Sequence, residues 1–512
     1  MGALAMAEDE YWANSQKFFD QIRVKITSAE SLNQALHDFE DKLSKDLNEL
    51  GRLLFQEYID AHGNGDVGAS IIREDGKVLN HKREGSCQII SQFGKVKATP
   101  QGYGQRGEDR IFPLKEELLL PARSFTYSLQ RKVCFEAIKG PYSRVTETLD
   151  EYTSAHVSKQ QIDHIVNDAA VDFDAFYRTA NQKSKIASQD IIVATADGKG
   201  IIMRKEDLRE ATKKRAISQK LEKRKSKGEK SNRKRMSTVA SVYNIGANVR
   251  TVDDIIDEFD RKQNQSQRPR PENKRVWASV EKSQAEVFQE ISREVKSRLS
   301  EGKIVAFLSD GEKQLKNLAK NILKPVLSKS NQFYMVLDIV HAIEYLWKAA
   351  HVFHKEGSKE AEAFVSKYLR WLLEGNAGQV AAAIGRLATK LRIEDDKRTT
   401  VDKVVTYIKN NKPYMQYDRY LELGLPIATG VIEGACKSLV KDRFEVTGAR
   451  WTLRGAESLL KLRAIYQSDD WKAYWNFHIE QECSRLYPKG HWRVEEKNAP
   501  PKLTVLAGGK SS

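Results

Sequence analysis

Between residues 190 and 339, five short runs rich in Val, Ile and aromatic residues follow one another in a fixed order. DIIVATADGKGIIM (190–203) is the first, RMSTVASVYNI (235–245) the second and KRVWASV (274–280) the third. A helical pattern from Glu281 to Leu299 leads to GKIVAFLSDG (302–311), then the helix EKQLKNLAKNIL and the last run, FYMVLDI (333–339). Short apolar runs of this kind predict buried strands. Strand, strand, strand, helix, strand, helix, strand predicts a mixed sheet flanked by helices.

That order is the order of an RNase H-like fold, in which the first and fourth strands are neighbours. Three acids fall at telling places in it: Asp197 inside the first run, Asp310 at the end of the fourth, and Glu433 in ATGVIEGACK, opening a helix after a long helical stretch. Carboxylates there converge on one edge of the sheet. Hard oxygen donors with room for water and phosphate suit Mg²⁺ or Mn²⁺. Two such ions roughly 3.5–4 Å apart serve phosphoryl transfer. Each acid also has a plainer reading. Asp197-Gly198 is a hairpin dipeptide, Asp310 could cap the helix starting near Glu312, and Glu433 could pair with Lys437 one turn on. Asp338 and His341, in VLDIVHAIEYLW, share one face of the next helix. Asp338 caps that helix or replaces Asp310 as the second acid; His341 positions DNA, stands behind the metal ligands, or is structural.

Charge indicates the partner. The 512-residue chain carries a formal +15 with a pI near 9.3, the balance of a protein that meets polyanions. From Lys213 to Arg235 there are twelve Lys or Arg and two Glu. Lys213, Lys214, Arg215, Lys223, Arg224, Lys225, Arg233, Lys234 and Arg235 are candidate phosphate contacts; a localisation signal is the competing reading. Residues 141–173 predict two helices with a short turn, the second capped by Ser158 with Gln161 three residues on. This is a helix-turn-helix outline shared by any helical hairpin. If it reads DNA, Lys159 and Gln160 begin the recognition helix. Arg450 and Trp451 are candidates for contacting or stacking on a displaced base.

Leu36, Phe39, Leu43, Leu47, Leu50 and Leu54 form one apolar stripe, suited to an internal core or a second copy. Residues 86–115 predict a small β-hairpin. The four cysteines lie far apart with no CxxC pair, which fits reduced thiols in a cytoplasmic, nucleoid-associated protein rather than a zinc ribbon. No apolar run approaches the roughly 18–20 residues of a membrane helix. The expected organisation is a helical region (1–75), a small β region (76–115), a helix-turn-helix domain (116–185), an α/β RNase H-like core (186–340), a helical insertion (341–425), the rest of the core (426–480) and a loose tail (481–512).

With these words in place, ADGKGIIMRKEDLREATKK, KRVWASVEKS, VLDIVHAIEYLWKAAHVFH and GLPIATGVIEGACKSLVKDRFEVTGARWTLRGAESLLKLRAI, the chain resembles the DDE transposases of bacterial insertion sequences. The likeness is to the ISKra-type group and, more distantly, to the Mutator-like transposases, and covers nearly everything after residue 85. It implies Asp197, Asp310 and Glu433 as the acidic triad holding two Mg²⁺ or Mn²⁺ ions. It also implies Asp338-x-x-His341 as the motif after the fifth strand, and terminal-repeat and target DNA as partners of a dimer or larger assembly. The lysine-rich segment is longer and more basic than that group's pattern, and the hairpin region has no metal-binding cysteines. A non-catalytic DNA-binding regulator and an RNase H-like nuclease or resolvase are the alternatives.

Overall fold

The apolar stripe near the start of the chain becomes a helix, Leu36–Ala61, lying against the helix Ala13–Ile26. The computed structural model describes residues 12–179, 191–218, 233–259, 268–446 and 448–494. They fall into two compact units. One holds the described residues up to Asp172 together with those from Lys472 onward; the other runs from Phe173 to Trp471. In the first unit the buried Glu57 accepts the backbone N–H groups of Asn14 and Ser15 at 3.1 and 2.9 Å, tying the two helices together. Phe39, Leu43 and Leu50 are half-buried, whereas Leu36, Leu47 and Leu54 are 81, 51 and 42% exposed.

Short strands follow: β1 (Ile71–Arg73), β2 (Val78–Leu79), β3 (His81–Glu84), β4 (Cys87–Ser91), β5 (Gly94–Ala98) and β6 (Gln101–Gly104). β4 and β5 form a hairpin from Cys87↔Ala98 to Ser91↔Gly94. In β5 the lysines at 95 and 97 face out and Val96 and Ala98 face in, the period-two alternation of a one-sided sheet. Residues 492–494, expected to be loose, instead pair with β1 as an antiparallel strand, Arg73↔Trp492. The Trp492 ring packs on the cluster of Ile71, Leu79 and Tyr103, and its indole N–H donates to Glu116 at 2.6 Å.

Three helices, Tyr127–Ala137, Tyr142–Tyr152 and Lys159–Ala169, pack on one another. The last begins in a capping box: Ser158 Oγ accepts the Gln161 N–H, and the Gln161 side chain accepts the Ser158 N–H at 2.9 Å. Ser158→Ala is expected to cost about 1 kcal/mol, read by calorimetry of the full chain.

The second unit is built on β7 (Ile191–Ile202), β8 (Lys234–Ile245), β9 (Glu272–Ser279), β10 (Ile304–Ser309) and β11 (Gln332–Leu337). They form one five-stranded mixed sheet in the order β11-β10-β7-β8-β9. β10 runs parallel to both β7 and β11; β8 is antiparallel to β7 and to β9. The apolar runs are uninterrupted because both faces are covered. On one side the sheet residues Ile191, Val193, Ala306, Leu308 and Val336 share a core with a helical block spanning Ile339–Phe353, Lys359–Leu373, Ala377–Lys390 and Asp395–Asn411. Elsewhere the helix Gln284–Lys296 packs on β8 and Leu453–Gln467 on β9. β11 is an edge strand, and its carbonyls are capped from outside: Tyr420 and Tyr417 hydroxyls donate to Met335 O and Leu337 O, each at 3.0 Å. Among the described residues no helix is long and apolar enough to cross a membrane.

Candidate active site

Strand register brings the acids of the sheet together. Pairing of β10 with β7 ends at Leu308↔Thr195, and pairing with β11 ends at Ser309↔Leu337. Carried on, the same register sets Asp310 beside Asp197 on one side and Asp338 on the other. The Asp338 N–H confirms the second step by donating to Ser309 O at 2.9 Å. Three carboxylates thus occupy one row across adjacent parallel strands, at the carboxyl ends of β10 and β11, where sheets of this kind place their ligands. β7 alone runs on past the row, because its ladder with β8 continues to Ile202↔Lys234. Asp197 sits inside that ladder opposite Val239 and is no hairpin tip.

Each acid has its own surroundings. Asp197 is half-buried; its carboxylate accepts the Gly198 N–H at 2.6 Å and the Cys436 thiol at 3.3 Å. Asp310 accepts the Glu312 N–H at 2.9 Å, and its carbonyl accepts the Tyr407 hydroxyl at 2.9 Å. Gly311 follows it with φ +97°, and a Cβ there would lie 2.8 Å from Leu337 Cδ1, so only glycine fits this turn. Asp338 is fully buried and heavily engaged. One oxygen caps the helix Ile339–Phe353 by accepting the Val340 N–H at 2.9 Å; the other meets His341 Nδ1 at 3.1 Å and accepts the Thr429 hydroxyl.

Glu433 lies on the short helix Gly430–Ala435. Its carboxylate forms a group with Asp338 and His341 in which the ligating atoms lie within 4.8 Å of one another; among the described residues Asp197, Asp310 and Glu433 form no group that tight. Burial and the Asp338 carboxylate push Glu433 above the usual carboxylate range, His341 offsets this in part, and Asp197 adds to the rise. Glu312 is likewise raised by burial, then by Asp310 and Asp197. The five acids therefore share one negative field.

His341 answers that field. Its hydrogen bond with Asp338, outweighing the opposing effect of burial, holds the imidazole up to about 9, so with no cation beside it the ring is protonated at neutral pH. The ring is expected to titrate near pH 9 by NMR, and Asp338→Asn to return it toward 6.5. A ring that already titrates near 6.5 in the unaltered protein would mean the pair is not formed. Because the folded value lies above the unfolded one, the pair's contribution to stability is complete below pH 6.5 and is lost as pH rises through about 9. Asp197, Asp310 and Glu433 make no ion pair with a lysine or arginine among the described residues. Carboxylate oxygens without basic partners fit Mg²⁺ or Mn²⁺.

The remaining sequence candidates are scattered. Lys213, Lys214 and Arg215 lie on the helix Glu210–Ser218, with Lys213 3.9 Å from Glu210. Lys223, Arg224 and Lys225 lie outside the described residues. Arg233 is exposed, Lys234 pairs with Glu445 at 3.0 Å, and Arg235 donates to the carbonyls of Val280 and Asp207 at 2.8 and 3.2 Å. Lys159 and Gln160 are exposed in the first turn of their helix, and Arg450 is exposed. The Trp451 ring packs 4.8 Å from Phe444, with Arg443 over it, while its backbone is stitched to Ile202 and Arg204. Glu312, Cys436, Thr429 and Tyr407 were not foreseen. The Glu312 position, two residues after Asp310, was readable in the sequence; the other three reach the site only through the tertiary fold.

No protein-family model matches the chain, and no curated protein matches it. Among solved structures, the Drosophila P element transposase strand transfer complex is similar at 10% identity over 71% of this chain and 84% of that one, with a TM-score of 0.24. An overlap that low carries no argument about fold or function.

Proposed function

We propose that the protein is a metal-dependent DNA transposase of the DDE class, with an RNase H-like core and a helical insertion before its last acid. The observation that carries this reading is the row of Asp197 and Asp310 across neighbouring parallel strands, with Glu433 on a later helix and, among the described residues, no lysine or arginine ion-paired to them. Strand order β11-β10-β7-β8-β9, with β8 alone running against the rest, supports the RNase H-like assignment. The resemblance to the ISKra-type group supports the choice of substrate.

Asp197, Asp310 and Glu433 would hold two Mg²⁺ or Mn²⁺ ions, which would supply an activated water or 3′-hydroxyl and stabilise the departing oxygen. The chain's own residues do the rest. Asp197 is held on a rigid strand and Asp310 on a glycine turn, so the two acids keep a fixed spacing. Asp338 orients His341, whose imidazolium presents a positive hydrogen-bond donor beside the acids for a phosphate oxygen. The three packed helices between Tyr127 and Ala169, with Lys159 and Gln160 exposed, suit a helix-turn-helix that reads terminal repeats. The exposed leucines of Leu36–Ala61 suit pairing of two copies on DNA.

The test is nicking and joining of a duplex that carries the element's terminal repeat. Activity in Mg²⁺ or Mn²⁺ that disappears in EDTA supports the reading. Binding without nicking in either cation favours a regulator, and cutting of branched DNA without strand transfer favours a nuclease or resolvase. Inverted repeats flanking the reading frame would identify the substrate directly.

A further inference from the structure

The open edge of the sheet carries a second, differently built surface. Alongside β11 runs a continuous helical stretch made of Lys313–Leu318, a π-helical turn Ala319–Leu323 and a last turn Lys324–Val326. Lys316, Lys320 and Lys324 recur on it at every fourth residue. Tyr414 lies beneath the first two, with its ring centre 4.8 Å from Lys316 Nζ and 5.3 Å from Lys320 Nζ. Across the groove, Arg419 stands 5.4 Å over the Tyr334 ring and donates to its hydroxyl at 3.2 Å. The space between holds about 840 Å³, and its charged lining residues, Lys320, Lys324 and Arg419, are all cations. The Tyr417 and Tyr420 hydroxyls already cap the strand's carbonyls, so an added β-strand is not the natural occupant.

Cations alternating with half-exposed aromatic faces are the chemistry that holds an unpaired nucleic-acid strand, phosphates on the charges and bases on the rings. Duplex DNA offers no base faces to such rings. The groove also leads somewhere: Tyr334 on β11 is four residues before Asp338, which directly follows that strand, about 13 Å at the rise of an extended chain. We propose that this groove binds single-stranded DNA, with Lys320, Lys324 and Arg419 on its phosphates and Tyr334 and Tyr414 against its bases. The choice of DNA over RNA rests on the transposase reading; the binding chemistry does not.

The experiment uses the full chain in EDTA at about 0.15 M salt, with fluorescence anisotropy of a labelled oligo(dT) and of a duplex of equal length. The double variant Lys324→Glu/Arg419→Glu is expected to weaken oligo(dT) binding about tenfold or more, and Tyr414→Leu by at least about fivefold. Arg419→Lys and Tyr414→Phe should stay within about twofold of the parent. Thermal melts at the parent temperature show that the variants are folded, and duplex affinity should hold for Tyr414→Leu. Oligo(dT) affinity unchanged in both disruptive variants overturns the proposal. So does equal loss of duplex and single-strand binding in Tyr414→Leu, and so does displacement of oligo(dT) by polyglutamate as readily as by unlabelled oligo(dT), which would indicate an acidic polypeptide. Nicking by Asp197→Asn protein would sink the transposase reading while leaving the groove result standing, so the two failures are told apart.

Discussion

Asp197→Asn is expected to abolish Mg²⁺-dependent cleavage of terminal-repeat DNA, by about a thousandfold or more, while end binding stays intact. The substitution keeps the side chain's volume and an oxygen able to accept the Gly198 N–H. It removes the charge that would hold a divalent cation and puts an amide nitrogen where one oxygen accepts the Cys436 thiol. Metal-borne stabilisation of a transition state is worth several kcal/mol, and each 1.36 kcal/mol is tenfold in rate. Asp310→Asn and Glu433→Gln should behave alike, since each leaves the backbone anchoring unchanged. Asp338→Asn is the informative contrast. Its carboxylate is spent on a helix cap, Thr429 and His341, so the change should lower thermal stability and slow cleavage without abolishing it. If Asp310→Asn protein keeps full activity and Asp338→Asn protein has none, the second acid has been assigned to the wrong strand.

Glu294→Leu should destabilise the sheet-bearing unit by about 3–5 kcal/mol in urea denaturation. Glu294 sits on the helix Gln284–Lys296 and is the anion for two buried guanidinium groups. Arg275 Nη1 donates to it at 2.5 Å, and Arg298 donates through Nη2 and Nε at 2.5 and 3.1 Å. Arg275 reaches from β9 and is further held against the Tyr177 and Trp277 rings; Arg298 also donates to Asn244 on β8 at 3.0 Å. Leucine fills similar space but leaves both cations buried without their carboxylate, and that uncompensated charge sets the size of the loss. Glu301→Gln, on the exposed turn after this region, should change stability by less than about 0.5 kcal/mol. Equal effects for the two would mean the buried network contributes nothing.

The sheet was legible in the sequence because its strands are buried on both faces and so read as unbroken apolar, β-branched runs. The stretch around Asp197 was ambiguous for a local reason: Asp-Gly favours a hairpin tip, and only the pairing of Asp197 with Val239 decides otherwise. Glu433 and Asp338 were both noticed, but their approach across the helical block depends on how four helices pack. No local pattern carries that information. The same holds for Cys436 against Asp197 and Tyr407 against Asp310. The strand at Trp492 was missed because a run of three residues has no periodicity to detect; it exists through β1 and the apolar cluster under the indole.

The helix bearing Glu433 continues into a π-helical turn, Cys436–Lys441, before the buried Phe444. Such a turn holds one residue more than an α-helix requires. Losing any one of those residues would leave a regular helix with sound hydrogen bonds. Because the wider turn absorbs the extra residue, the helix on either side would keep its facing, with Glu433 toward Asp338 and His341 and Phe444 in the core. A one-residue deletion inside Cys436–Lys441 is thus expected to be tolerated, whereas a further one-residue insertion, with no second wide turn to absorb it, would swing Glu433 by about 100°. The spare residue is slack between the acid and the core behind it.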